Sequence, residues 1–237
     1  MTTPQNALFL VGSAKPAGGS TSEALAAHLA QRLAQQGVAT ATMHVARAMR
    51  TETRVQGLLQ AVEATDLLVL AFPLYVDTLP YLATGALERI AAHRQAQPSP
   101  RPAAFLAIAN CGFPEAEHNA TALAICQQFA HVAGFAWAGG LALGAGGAIN
   151  GRPLAQAGGM ARHVAQALDM TAAALAAGQP APQEAIALLS RPLMPLRAYT
   201  LLGDLGWRMQ ARRNGVYRKL WDRPIQSITR RPSPPHS

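Results

Sequence analysis

Short apolar runs alternate five times with stretches whose apolar residues recur every third or fourth position. The runs predict strands at about Ala7–Val11, Ala39–Val45, Asp66–Ala71, Ala103–Asn110 and Phe135–Leu143. Near-continuous runs of this length suit strands buried on both faces. The periodic stretches predict helices at about Ser20–Gln36, Thr53–Ala64, Tyr81–Arg94, Asn119–Ala133 and Leu154–Ala176. In the first, Leu25, Leu29 and Leu33 are spaced by four, and Gly37 supplies a stop. Five βα units in succession imply a parallel sheet with helices on both faces. The stretch from Gln97 through Pro102 reads as a loop, and Gly144–Gly151 as a flexible one. Gly178-Gln179-Pro180-Ala181-Pro182 then breaks the pattern. The expectation is an α/β domain at residues 1–178, followed by a mainly helical extension at 179–237. In the extension Leu202, Leu205 and Met209 share a helical face, Asn214-Gly215 stops the helix, and the end from Arg230 is expected to be disordered.

Composition sharpens this division. Half the residues are hydrophobic and 14% are charged, which is ample material for a core. The net charge of +8 is confined to one end. From Arg191 onward ten Arg or Lys face two Asp, whereas the rest of the chain is balanced and Lys15 is its only lysine. The basic character therefore belongs to the extension. There Trp207, Tyr217 and Trp221 interleave with arginines, a pattern that suits nucleic acid or a membrane surface. A solvated arginine face on a helix packed against the domain or a partner explains the same residues with fewer assumptions. Two cysteines, Cys111 and Cys126, without CxxC spacing, exclude a disulfide framework and a zinc or iron–sulfur site. A reducing cytoplasm is expected. The first residues lack the charged start and apolar run of a signal peptide, and no stretch reads as a membrane span.

Three loops that follow strands carry the candidate chemistry. The first runs from Gly12 through Ser22 and contains Ser13, Lys15, Gly18-Gly19 and Ser20-Thr21-Ser22. It is neither GxGxxG nor a Walker motif. It offers hydroxyls and free N–H groups at a helix N-terminus, which attract a phosphate, with Lys15 as a charge-assisted contact. The competing reading is a plain cap, Ser20 with Glu23 three residues on. The second loop, Phe72 through Pro80, offers Pro73, Leu74, Tyr75 and Val76 to one face of a flat ring. Asp77 there reads as a turn residue beside Thr78. In the third, Asn110-Cys111-Gly112-Phe113-Pro114-Glu115, Asn110 and Gly112 suit unusual backbone angles that aim N–H groups at a ligand. Cys111 has no histidine or aspartate placed to activate it and reads as a small buried residue. Glu115, Glu117 and His118 do not form a metal pattern, so no catalytic side chain and no metal ligand is expected. Ligands of open α/β sheets bind beyond the carboxyl ends of the strands, at a reversal of winding. Loops after strands one, three and four become neighbours in the order 2-1-3-4-5, not in 3-2-1-4.

On these three loops, and on Ala124-Ile125-Cys126 and Phe135 through Gly140, residues 7–175 resemble the NAD(P)H-dependent FMN reductase branch of the flavodoxin-like superfamily. The resemblance implies a flavodoxin-like, doubly wound, five-stranded parallel sheet of order 2-1-3-4-5. It implies that Ser13, Lys15, Ser20, Thr21 and Ser22 hold the FMN phosphate. Pro73, Leu74, Tyr75 and Val76, with Asn110, Cys111, Gly112 and Phe113, would wrap the ring. Lys15 stands near the place of the arginine frequent in that branch, and the helix opening at Tyr81 departs from its usual lysine. The activity implied is hydride transfer from NADH or NADPH through FMN to a quinone, nitro, azo or free-flavin acceptor, in a homodimer. An electron carrier of the same fold, or an interaction protein that has lost the flavin, are the competing expectations.

Overall fold

A computed structural model describes residues 1–97 and 101–222. It divides into two compact units, Met1–Met194 and Pro195–Ser237.

The first unit is built on five strands, β1 (Asn6–Val11), β2 (Ala39–His44), β3 (Leu67–Pro73), β4 (Ala104–Asn110) and β5 (Ala136–Leu143). All pair in parallel, in the order β2-β1-β3-β4-β5. The order inferred from the loops is the one observed. Among the described residues seven α-helices accompany them: α1 (Thr21–Gln35), α2 (Val45–Ala48), α3 (Glu52–Glu63), α4 (Tyr81–Ala96), α5 (Ala120–Val132), α6 (Arg162–Ala176) and α7 (Gln183–Leu189).

The core follows from strands that are apolar on both faces. Leu8, Leu10, Leu68, Leu70, Phe72 and Phe105 pack with Val55, Leu58, Leu87, Ile90 and Phe129 of α3, α4 and α5. The alternate residues, Phe9, Val69 and Leu106, point to the other face. On that side α1 and α6 pack against each other. Leu25, Leu29 and Leu33 are fully buried there, each worth roughly 1.5–3 kcal/mol relative to exposure. Where α1 meets α6, Asp169 takes two hydrogen bonds from Arg32, at 2.7 and 3.0 Å, and pairs with His28 at 2.7 Å.

Two boundaries move relative to the sequence reading. Helix α6 starts at Arg162 rather than Leu154, because Gly158 at φ 72° interrupts a continuous helix and leaves two single 3₁₀ turns before it. More consequentially, the first unit extends past Gly178 to Met194. The Gly/Pro stretch is a tight return rather than a linker. Ala181 N–H donates to Ala138 O of β5 at 2.7 Å, and α7 packs on α6 and β5. Gly139, at φ 129°, accepts this approach, since a Cβ there would stand 3.0 Å from Ala181 Cβ.

The second unit consists of α8 (Leu196–Arg213) and a 3₁₀ turn at Tyr217–Lys219. The expected stop is present: Asn214 caps α8 and Gly215 follows at φ 69°. The expectation for Arg230 onward lies outside the described residues. Among the described residues no helix is long and apolar enough to cross a membrane.

Candidate functional site

Parallel winding brings the three loops to one edge, and a buried amide ties them together. Asn110, at the end of β4, donates from Nδ2 to Ser22 Oγ of α1 at 2.8 Å and to Phe72 O of β3 at 3.0 Å. Its own carbonyl accepts from Leu74 N–H at 2.8 Å. One residue therefore fixes the relative positions of all three loops, which a buried amide does only when its partners are in place.

In the first loop the small polar residues are mostly committed to the fold. Ser13 Oγ accepts from Lys15 N–H at 3.2 Å. Ser20 Oγ accepts from Glu23 N–H at 3.1 Å, the cap that the sequence offered as the competing reading. Thr21 Oγ1 donates to Gly146 O at 2.7 Å. All four hydroxyl residues, Ser13, Ser20, Thr21 and Ser22, are buried. The backbone N–H groups of Ser20, Thr21 and Ser22 donate to no partner among the described residues. They are the orphan donors of a helix N-terminus, carrying its positive partial charge. Lys15 is exposed beside them and forms no ion pair among the described residues. Glu23 Oε2 takes the Gly18 N–H at 2.6 Å, and its other oxygen lies 3.4 Å from His44 Nε2.

The second loop closes as a two-residue hairpin, with Tyr75 N–H to Thr78 O at 3.0 Å and Thr78 N–H to Tyr75 O at 3.2 Å. Val76 and Asp77 both take positive φ, 48° and 60°. A β-branched residue in this region is strained. The turn pushes Val76 into solvent at 95% exposure and leaves Tyr75 half-exposed, while Pro73 and Leu74 are half-buried beneath them. Asp77 serves the turn, as expected.

In the third loop Gly112 and Phe113 face outward, and the Phe113 ring packs at a tilt of 41° against His118 with ring centroids 4.6 Å apart. Cys111 is buried. Desolvation pushes its thiol above the usual range, outweighing the lowering by its hydrogen bond from Asn119 and its contact with Phe113 O. A thiol held protonated is a poor nucleophile. The Asn119 side chain, fully buried, donates to Ala116 O at 3.0 Å while its Oδ1 has no partner among the described residues.

A fourth wall was not foreseen. The loop after β5, expected to be flexible, is pinned: Ala145 N–H donates to Phe113 O at 2.6 Å and Gly146 N–H to Cys111 O at 2.8 Å. Its Gly151, at φ 77°, lies across the first loop. A Cβ there would meet Gly18 O and Gly19 C at 2.8 Å and Ser20 N at 3.0 Å. Beside this crossing a cavity of about 270 Å³ opens between Glu23, His28, Gly151 and Leu154. The run of glycines in the loop was the available signal. Among the described residues no group of three or more His, Cys, Asp or Glu is placed to hold a metal ion.

The site thus sits beyond the carboxyl ends of β1, β3 and β4, at the reversal of winding. A family model described as the flavodoxin-like fold matches residues 5–138. The chain belongs to the flavodoxin-like family. Solved structures similar to this flavodoxin-like chain include an NADH:FMN oxidoreductase in its apo form, at 15% identity, TM-score 0.51, covering 82% of this chain and 98% of that one. A flavone reductase matches at 12% identity and TM-score 0.49, covering 69% of this chain; the chain spans 62% of that protein. The azoreductase AzrA matches at 11% identity and TM-score 0.46, covering 69% and 99%. No curated protein sequence matches.

Proposed function

We propose that this flavodoxin-like chain is an FMN-dependent oxidoreductase that passes hydride from NADH or NADPH to a small quinone, nitro, azo or flavin acceptor. The observation that carries this reading is the set of unpartnered N–H groups of Ser20, Thr21 and Ser22 at one end of a site whose other end is the exposed Tyr75–Val76 turn and Phe113. A phosphate at one end and a flat ring at the other match that polarity. The name of one structural neighbour, an NADH:FMN oxidoreductase, supports it.

The residues present fit FMN. Ser20, Thr21 and Ser22 would donate backbone N–H groups to the phosphate, and Lys15 would add charge. The Thr21 hydroxyl donates to Gly146 O, whereas Ser22 Oγ accepts from Asn110 and would keep its own O–H for the phosphate. Pro73, Leu74, Tyr75, Val76, Gly112 and Phe113 would flank the ring and exclude water. Asn110 would position the two ring loops, and Cys111 would remain a neutral spacer. FMN, when bound, supplies the hydride-accepting chemistry, so no side chain need act as acid or base. A homodimer in the cytoplasm, with no resident metal, completes the reading.

Titrating the purified protein with FMN tests it. Binding should be seen by flavin absorbance and fluorescence, and Lys15→Ala should weaken it about tenfold or more, since a charge-assisted contact is worth about 1.5–3 kcal/mol. Steady NADPH oxidation with a small quinone separates a reductase from a carrier. A protein that takes up no FMN is neither.

A further inference from the structure

Among the described residues, the helix of the second unit leaves several large apolar side chains exposed. In α8, Arg197, Thr200, Asp204, Arg208 and Arg212 recur at steps of three and four and form one polar stripe, laced by an Asp204–Arg208 pair at 2.9 Å. Leu202, Leu205 and Met209 occupy the adjacent sector, with Arg212 and Arg213 at its two edges and Leu201 between Arg208 and Arg212. Leu202 is 58% exposed and Trp207 72% exposed. A soluble helix normally buries large apolar residues such as these.

Charge decides among the occupants. From Pro195 to the end nine Arg or Lys stand against two Asp, while the remainder of the chain is close to neutral. Two copies of a surface this basic repel each other, which disfavours self-association through it. Nucleic acid would satisfy the cations but would leave Leu202, Leu205 and Met209 in water. A surface that is both anionic and apolar just below satisfies both halves. Arg208, Arg212 and Arg213 at the C-terminal end can keep their guanidinium groups in the headgroups while their stems follow the leucines down.

We infer that α8 is an interfacial helix that docks the protein on anionic phospholipid membranes, lying in the surface with its Leu202–Leu205–Met209 side in the acyl boundary and its arginine stripe among the headgroups. The helix binds on the membrane, and among the described residues no helix is long and apolar enough to span it. This does not depend on the flavin reading.

The test is co-sedimentation of the full-length protein with mixed phosphatidylglycerol–phosphatidylcholine vesicles and with pure phosphatidylcholine vesicles. The protein should pellet with the anionic vesicles, poorly with the neutral ones, and be released by raised salt. Arg208→Glu with Arg212→Glu should weaken the binding tenfold or more, at roughly fivefold per cation removed. Leu202→Glu with Leu205→Glu should abolish it while the thermal melt is kept. For the unaltered protein, amides of residues 196–213 should gain protection from hydrogen exchange when anionic vesicles are added, a readout that needs no variant. Four results would each overturn the inference: no pelleting with anionic vesicles, unchanged binding by the Leu202/Leu205 variant, retention by duplex DNA or RNA with none by vesicles, or a dimer lost in that variant without vesicle binding.

Discussion

Single residues in this protein carry loads that their type alone does not announce. Val76 sits at φ 48° with its side chain in solvent, so the strain is not repaid by burial. Left-handed backbone costs a β-branched residue about 1–2 kcal/mol, partly offset in a glycine variant by extra freedom of the unfolded chain. Val76→Gly should therefore stabilise the protein by about 0.5–1 kcal/mol. The measurement is a shift of the urea midpoint upward at unchanged slope. Cys126 gives a pH signature. Burial in the core pushes its thiol from 9.0 up to about 12. The folded state thus holds this proton more tightly than the unfolded chain does. The contribution is fully present below pH 9.0 and is lost as pH rises toward about 12, at up to roughly 1.4 kcal/mol per pH unit. Subtracting the stability–pH curve of Cys126→Ala from that of the unaltered protein isolates it. Parallel curves between pH 9 and 11 would show that Cys126 is solvated.

At the scale of elements, the strands, their order and the three loops were legible in the sequence because each rests on local pattern. Apolar runs such as Leu67–Ala71 have no alternative to a buried strand, and Leu25, Leu29 and Leu33 repeat too regularly for anything but a helix face. What was not legible depends on contacts between distant residues. That Asn110 binds Ser22, or that Thr21 spends its hydroxyl on Gly146, is set by which strands lie side by side. Arg94 is another case: buried, it donates to Ala133 O at 2.8 Å, pairs with Glu63 at 3.1 Å and lies over Phe135. Nothing in its local sequence marks it as interior. The loop from Gly144 to Gly151 reads as flexible by composition, but Gly144, Gly146 and Gly151 permit close contact rather than motion. Gly151→Ala tests this. Its methyl group would fall 2.8 Å from Gly18 O at a φ of 77°, forcing the two loops apart. The expected cost is about 1–3 kcal/mol of stability. If the orphan N–H groups below it hold the phosphate, FMN affinity should also drop at least tenfold. Gly147→Ala, with nothing within 4 Å of the added carbon, should change neither and is the matched control.

At the scale of the whole molecule the question is where the working domain ends. The sequence places the boundary at Gly178, because Gly and Pro punctuate there and composition turns basic soon after. The structure places it after Met194, because Leu188 and Leu189 of α7 are buried and Ala181 extends the hydrogen bonding of β5. A break in local pattern is visible in one dimension, whereas a chain that doubles back onto a sheet edge is not. The two boundaries predict different behaviour. A Met1–Met194 protein keeps α7 and every candidate site residue, so it should fold cooperatively, bind FMN with the affinity of the full chain and lose binding to anionic vesicles. A Met1–Gly178 protein uncovers the parts of α6 and β5 against which α7 packs. Loss of two buried leucines on α7 alone forfeits roughly 3–6 kcal/mol, a large share of the 5–15 kcal/mol that holds a typical domain. It should therefore melt well below the longer form or aggregate. Equal melting temperatures for the two truncations would show that α7 is an appendage, and weakened FMN binding by Met1–Met194 would show that the basic unit reaches the flavin site.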